Sequence, residues 1–181
     1  MEEGLSGTAP FAPIDVELRD GRHVRLREIR PDDRDEVRQA FARLSSESRY
    51  MRFMSHVREL SPRTLERTVN PQRAQELGLV AEVDAPDGID IVAGARYFVG
   101  ADGETCEFAV TVADAWQRVG LASRLIRELI EAARARGLKH MEGFVLSGNG
   151  GMLNLARRLG FSVKTDPRDP TVAIVRLALH A

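Results

Sequence analysis

Apolar and polar side chains alternate from His23 to Arg30, with Val24, Leu26 and Ile29 inward or nearly so, which is a strand signal. Pro31 and the acids Asp32 and Asp33 then open a helix with Val37, Phe41 and Leu44 on one face. Ser61-Pro62 has the form of a second helix start, and Leu65 and Val69 follow it. Residues 77–83 and 89–99 read as two strands joined by the Ala85-Pro86-Asp87-Gly88 turn. Thr105 to Val112 alternates again, with Cys106, Phe108, Val110 and Val112 on one face and Glu107, Ala109 and Thr111 on the other. The strongest helical pattern runs from Leu121 to about Arg136, where Leu121, Leu125, Ile126, Leu129, Ile130 and Ala133 share a face and Gly137 ends it. A short strand, 141–146, a short helix, 152–159, stopped by Gly160, and two strands, 161–163 and 172–179, around the TDPRDP turn complete the chain.

The expected order is β, α, α, β, β, β, α, β, α, β, β, without a repeat or an interdomain linker. This is a mixed α/β (α+β) domain over residues 16–181, preceded by a flexible tail, 1–15, of Gly, Ser, Pro and acids without periodicity.

The 181 residues suit one domain with a substantial core. No apolar run is long enough to span a membrane, and the N-terminus lacks the basic and apolar segments of a secretory signal. One cysteine, Cys106, excludes an internal disulfide and a cysteine-rich metal site, and the four histidines have no metal-ligand spacing. A cytoplasmic location is expected. Net charge is −1, which gives no global case for nucleic-acid binding. Charge is uneven along the chain, however, and the basic C-terminal third suits an anionic ligand as well as it suits a solvated face.

Gly120 changes the picture. It follows a strand and opens the strongest helix, whose first N–H groups lack partners and whose dipole favours negative charge. A glycine lets a phosphate come close to such a backbone, the small Ala122 leaves a second approach open, and Gln117 and Arg118 add donors. Neither a Walker loop nor a three-glycine dinucleotide fingerprint is present. On these residues alone, a plain turn stays open as the alternative.

Gln117-Arg118-Val119-Gly120-Leu121-Ala122 resembles the Q/R-x-x-G-x-G/A motif of the GNAT superfamily of N-acetyltransferases. Val110-Thr111-Val112 precedes it where that family has a splayed strand, and Asn149 and a helix ending in Leu159-Gly160-Phe161 follow. Ser45 to Phe53 (SSESRYMRF), Cys106 to Val110 and Leu155 to Phe161 resemble the acetyltransferase domain of bacterial Pat-type protein lysine acetyltransferases. In those proteins the domain often adjoins a large ligase-like or cyclic-nucleotide-binding domain. The length here leaves room for neither, which implies a free-standing relative.

The resemblance implies a GNAT acyl-CoA N-acyltransferase fold with a mostly antiparallel mixed sheet, and acetyl-CoA as co-substrate without a metal. It assigns cofactor contacts to Val110, Thr111, Val112, Gln117, Arg118, Val119, Gly120, Leu121, Ala122, Ser123, Asn149 and Met152. The Glu matching Glu107 is the proposed general base of Pat-type domains. Glu107 therefore becomes the candidate catalytic residue, with Glu104 a weaker rival in the Asp102-Gly103 turn. Cys106 reads as a small core residue or, less simply, a thiol nucleophile. One departure stands out: Ala156 occupies the position where many GNAT enzymes carry a tyrosine acid. The implied acceptor is an amine, such as a protein lysine on an acyl-CoA synthetase or a small amine, and the implied state is a monomer or homodimer. A non-catalytic acyl-CoA sensor and an interaction domain using the basic block 22–73 are the rival readings.

Overall fold

A computed structural model describes residues 9–180, so the N-terminal part of the expected tail, 1–8, lies outside the described residues. Eight strands form one sheet: β1 Ile14–Glu17, β2 His23–Glu28, β3 Glu76–Ala85, β4 Gly88–Val99, β5 Thr105–Val112, β6 His140–Leu146, β7 Ser162–Asp166 and β8 Asp169–Ala178. Their order across the sheet is β1-β2-β3-β4-β5-β6-β8-β7. Among the described residues only β5 and β6 run parallel. Five helices flank it: α1 Arg34–Arg43, α2 Ser46–Phe53, α3 Pro62–Val69, α4 Leu121–Ala135 and α5 Gly150–Arg158.

Two elements go beyond the sequence expectation. Ile14 and Asp15, assigned to the tail, belong to β1, which pairs antiparallel with β2. Helix α2 was not expected at all. Its N-cap Ser45 accepts from Ser48 N–H, but it has no fully buried residue, so it writes no apolar period into the sequence. The last two strands are also longer than expected, since the turn between them narrows to Pro167-Arg168.

The main core lies on one face of the sheet. There α4 buries Leu121, Leu125, Ile126, Leu129, Ile130 and Ala133 against a cluster that includes Tyr97, Cys106, Phe108 and Met141. Helix α5 closes the same cluster through Leu153 and Ala156. Its C-terminus is a Schellman motif: Phe161 N–H donates to Ala156 C=O and Gly160 N–H to Arg157 C=O. Gly160 takes the left-handed φ of 92° that this ending requires, and Phe161 turns inward to meet the Phe108 ring. On the opposite face, Phe41, Leu44, Leu65, Val69, Val80 and Ile91 are buried under α1 and α3. Near this layer the Arg27 guanidinium, only 4% exposed, holds both oxygens of Asp33 at 2.8 Å and also pairs with Glu82. That network ties β2 to β3 and to the turn that starts α1.

Candidate active site

The parallel ladder between β5 and β6 is three pairs long and stops at Glu107 opposite Glu142. Beyond that point β5 continues to bond β4 on its far edge, and β6 continues to bond β8 on its own. The edges that face each other across residues 108–112 and 143–146 therefore have no ladder between them. Phe108 wedges this opening: its ring lies so close to Gly143 that a Cβ there would sit 2.7 Å from it. Unpaired strand edges are rows of donors and acceptors, a template for an extended amide-bearing chain.

The fork opens into a cleft of about 1030 Å³. Glu107, Val110, Thr111, Val112, Gln117, Arg118, Gly120, Leu121, Ala122, Ser123, Asn149 and Met152 all line it, so twelve of the thirteen proposed site residues meet in one place. Val119 does not line it: its side chain packs against the core, and its carbonyl accepts from Arg19 N–H. The tight turn that presents the surrounding N–H groups explains this. Arg118 and Gly120 both have left-handed φ, 64° and 91°, which turns the residue between them inward.

Three side chains of the cleft also make contacts within the protein. The Gln117 side chain donates to Val112 C=O at 3.0 Å and to Ser48 Oγ at 3.1 Å, so it braces the turn. Asn149 caps α5, its Oδ1 accepting from Met152 N–H at 3.2 Å, while still lining the cleft. Trp116 lies at the cleft wall with the Arg22 guanidinium 3.9 Å from its ring centroid.

Arg19 was missed. It stands in the β1–β2 connection, and its Nε lies 3.1 Å from where a Gly120 Cβ would be. Its guanidinium thus covers the N-terminus of α4 and adds a full positive charge to the helix dipole. A signal existed: Asp20-Gly21 between apolar alternations marks a hairpin, and a hairpin would have brought Arg19 back to the sheet end.

Glu107 sits at the apex of the fork, on the sheet face opposite Phe108. Burial pushes its carboxyl pKa up, the Glu142 charge opposite pushes the same way, and Arg52 opposes both. A carboxylate poised above its ordinary range is a better proton acceptor. Glu104 pairs with Lys139 at the other end of β5 and does not line the cleft. Cys106 is fully buried, and burial raises its thiol pKa to about 12, so it is a core residue and no nucleophile. Ala156 is 1% exposed, and neither tyrosine lines the cleft: Tyr97 is in the core and Tyr50 stacks near His56. Of the two arginines on α5, Arg158 lines the cleft and Arg157 bonds Asn154 on the exposed surface.

Helix α2 forms the other wall and is latched to the turn that leads into α4. Asp114 accepts from Ser45 O–H at 2.7 Å, from Ser45 N–H at 3.1 Å and from Ser48 O–H at 3.1 Å. Burial tends to raise the Asp114 pKa, but these bonds prevail and hold it below the ordinary carboxylate value.

A forked sheet leading to a glycine-opened helix N-terminus, with a carboxylate at the fork, defines an acyl-CoA-dependent N-acyltransferase. The chain belongs to the GNAT acetyltransferase domain family, whose model matches residues 23–162. It is 36% identical to an acetyltransferase of Pseudomonas aeruginosa over 98% of both chains. It is 32% identical to the acetyltransferase Pat of Mycolicibacterium smegmatis over 83% of this chain, and spans 44% of that protein's length. Among solved structures, the GNAT domain of S. lividans PAT superposes with a TM-score of 0.84 at 29% identity, covering 92% of this chain and 96% of the other. Membership makes the chain an acetyltransferase that uses acetyl-CoA as co-substrate. Among the described residues no group of three or more His, Cys, Asp or Glu side chains could hold a metal ion, and no helix is long and apolar enough to cross a membrane.

Proposed function

We propose that this protein transfers acetyl from acetyl-CoA directly to a primary amine, with Glu107 as general base. The observation that carries the reading is the end of the β5–β6 ladder at Glu107, because the same break opens the cofactor slot and leaves a carboxylate beside it. The open edge near Val110 and Val112 bonds the pantetheine amides, and the turn at 117–123 with Arg19 holds the pyrophosphate. When bound, the thioester supplies the acyl carbon. Glu107 takes one proton from the ammonium, the freed nitrogen bonds that carbon, and the C–S bond breaks. A backbone N–H of β5 near Val110 steadies the oxyanion. With Ala156 in place of a tyrosine, solvent or the amine's second proton neutralises the departing thiolate.

A protein lysine, as on an acyl-CoA synthetase, is the first acceptor reading. The relationship to Pat supports it, as does Phe98, a 42% exposed aromatic directly across from Glu107 in the β4–β5 ladder. A small amine is the second reading, favoured by an apolar pocket beneath α1–α3 that opens beside the fork. A cytoplasmic location, where acyl-CoA donors are made and used, belongs to the same proposal.

Acetyl-CoA should stabilise the fold by ~2.7 kcal/mol at a hundredfold excess over its dissociation constant. At roughly 2–4 °C per kcal/mol for a chain of this size, the melting temperature should rise by about 5–10 °C. Thiol release on adding amine acceptors should follow. Equal melting temperatures with and without millimolar acetyl-CoA would refute the reading.

A further inference from the structure

The Arg52 guanidinium is in an unusual position. Arg52 is half-buried on α2, and it lines both the cofactor cleft and the apolar pocket under α1–α3. Among the described residues, no hydrogen bond and no ion pair within 4.0 Å engages it. Its recorded contacts are the Phe53 ring, 4.8 Å from the guanidinium carbon, and the longer-range fields of Arg96 and Glu107. Nearby arginines are engaged: Arg27 has Asp33 and Glu82, Arg96 has Glu76 at 3.4 Å, and Arg49, also on α2, donates to the Arg58 and Ala42 carbonyls. Taking a guanidinium out of water without an anion is unfavourable, and a second guanidinium nearby makes it more so. Burial and Arg96 accordingly pull the Arg52 pKa below its ordinary value, against the pull of Glu107. An anion between Arg52 and Arg96 would relieve both effects.

The surroundings say what kind of molecule would carry it. On one side of Arg52 lies Glu107, positioned to receive an amine's proton. On the other lies the pocket, about 210 Å³, walled by Val37, Phe41, Leu44, Leu60 and Ile91. That exceeds the ~150 Å³ cavity that holds a benzene ring, so a leucine- to phenylalanine-sized group fits. A base, an unpaired cation and an apolar recess in sequence match the ammonium, carboxylate and side chain that an α-amino acid bears on one carbon.

We propose that Arg52 anchors a carboxylate of the acceptor, and that the acceptor is an α-amino acid with a large apolar side chain. This deepens the small-amine reading and rests on the direct-transfer mechanism. Apart from Arg52 and Arg96 the pocket lining is neutral, and Arg96 already pairs with Glu76, so selectivity should appear between an acid and its neutral amide.

The test pairs L-leucine, L-methionine, L-phenylalanine and L-tryptophan with their amides in a thiol-release assay with acetyl-CoA. Wild type should prefer the acids by about 10–100-fold in kcat/KM, the range for a charge-assisted hydrogen bond. Arg52→Met should reduce that preference to near one in a protein that still binds acetyl-CoA, and Arg52→Lys should retain part of it. Equal rates on acids and amides, or a preference that survives Arg52→Met, would overturn the assignment. Turnover of a lysine peptide with none of the amino acids would overturn it and leave direct transfer standing. No thiol release with any amine, despite acetyl-CoA binding, would overturn both. A dicarboxylyl donor offers the same anion from the other substrate: if succinyl-CoA outperforms acetyl-CoA and Arg52→Met abolishes the difference, the carboxylate is the donor's and the acceptor assignment falls.

Discussion

Replacing Glu107 by glutamine keeps the side chain's size and hydrogen bonding at the fork but removes its basicity. An amine with lysine's ordinary pKa of about 10.4 is neutral in only about one molecule in 2,500 at pH 7. If Glu107 supplies the deprotonation, its loss returns the reaction to that neutral fraction. Turnover at pH 7 should fall by up to ~10³, inside the ~10²–10⁴ range of general bases, and recover up to ~tenfold per unit as pH rises. Acetyl-CoA affinity should hold, because the slot is made of backbone edges that a carboxamide does not touch.

Two further readouts follow from the site's electrostatics. Burial and Glu142 hold the Glu107 pKa above the ordinary carboxylate value, so the acid limb of kcat/KM should lie above that value as well. Glu142→Gln removes the like charge and should move the limb to lower pH. A carboxylate whose pKa rises on folding is easier to ionise unfolded, so it subtracts stability once pH passes its unfolded pKa. Glu107→Gln should therefore melt no lower than wild type at neutral pH, and no higher once both are titrated well below the carboxylate range. Rates from about pH 6 to pH 10 by thiol release, affinity by calorimetry and melting by fluorescence give all three. Wild-type turnover at pH 7 in a folded, acetyl-CoA-binding Glu107→Gln protein would refute the assignment.

Gly120→Glu should weaken acetyl-CoA binding by ~100-fold or more in calorimetry, since the side chain enters at φ 91°, meets Arg19 and carries negative charge to the pyrophosphate site. Unchanged affinity would place the phosphates elsewhere. Arg27→Met should cost about 3–5 kcal/mol, because it strands the Asp33 and Glu82 charges in the interior, and should lower the melting temperature by roughly 10 °C or more. Burial raises the Asp33 pKa, but the bonds from Arg27 and Arg30 outweigh it and leave it below its ordinary value. The wild-type contribution should thus be full above the ordinary carboxylate pKa and be lost progressively as pH falls from there through the lowered folded value, and a melt of Arg27→Met equal to wild type at pH 7 would refute the network's role.

The gathering of the proposed cofactor contacts in one cleft was legible because those residues are local. Gly120, the turn before it and the helix after it lie in one stretch, and the backbone geometry they need restricts which residues can stand there. Glu107 was legible by its face on a strand. Its elevated pKa was not, because Glu142 and Arg52 are brought to it from β6 and α2. Arg19 reaches Gly120 only through the β1–β2 hairpin, and the four residues of β1 are too few for a clear alternation. Gln117 and Asn149 line the cleft, but they bond to neighbours that a sequence does not align with them.

The acceptor half was least legible, and α2 shows why. A helix without a buried residue is held largely by polar contacts, at its start where Ser45 and Ser48 meet Asp114 and Gln117 and further along where Arg49 reaches the Ala42 and Arg58 carbonyls, with the Phe53 ring against Phe41 at its end. Each such bond contributes about 0.5–1.5 kcal/mol net, and together they replace the apolar face that anchors the other helices. The same bonds fix where Arg52 stands, one to two turns further along α2, relative to the turn proposed to receive the pyrophosphate. The wall that would read the acceptor is therefore positioned by the loop that would read the cofactor. Change at Asp114 or Ser48 should accordingly be felt at the acceptor site although neither residue reaches the base, a coupling carried by side-chain hydrogen bonds and hence invisible to hydrophobic periodicity.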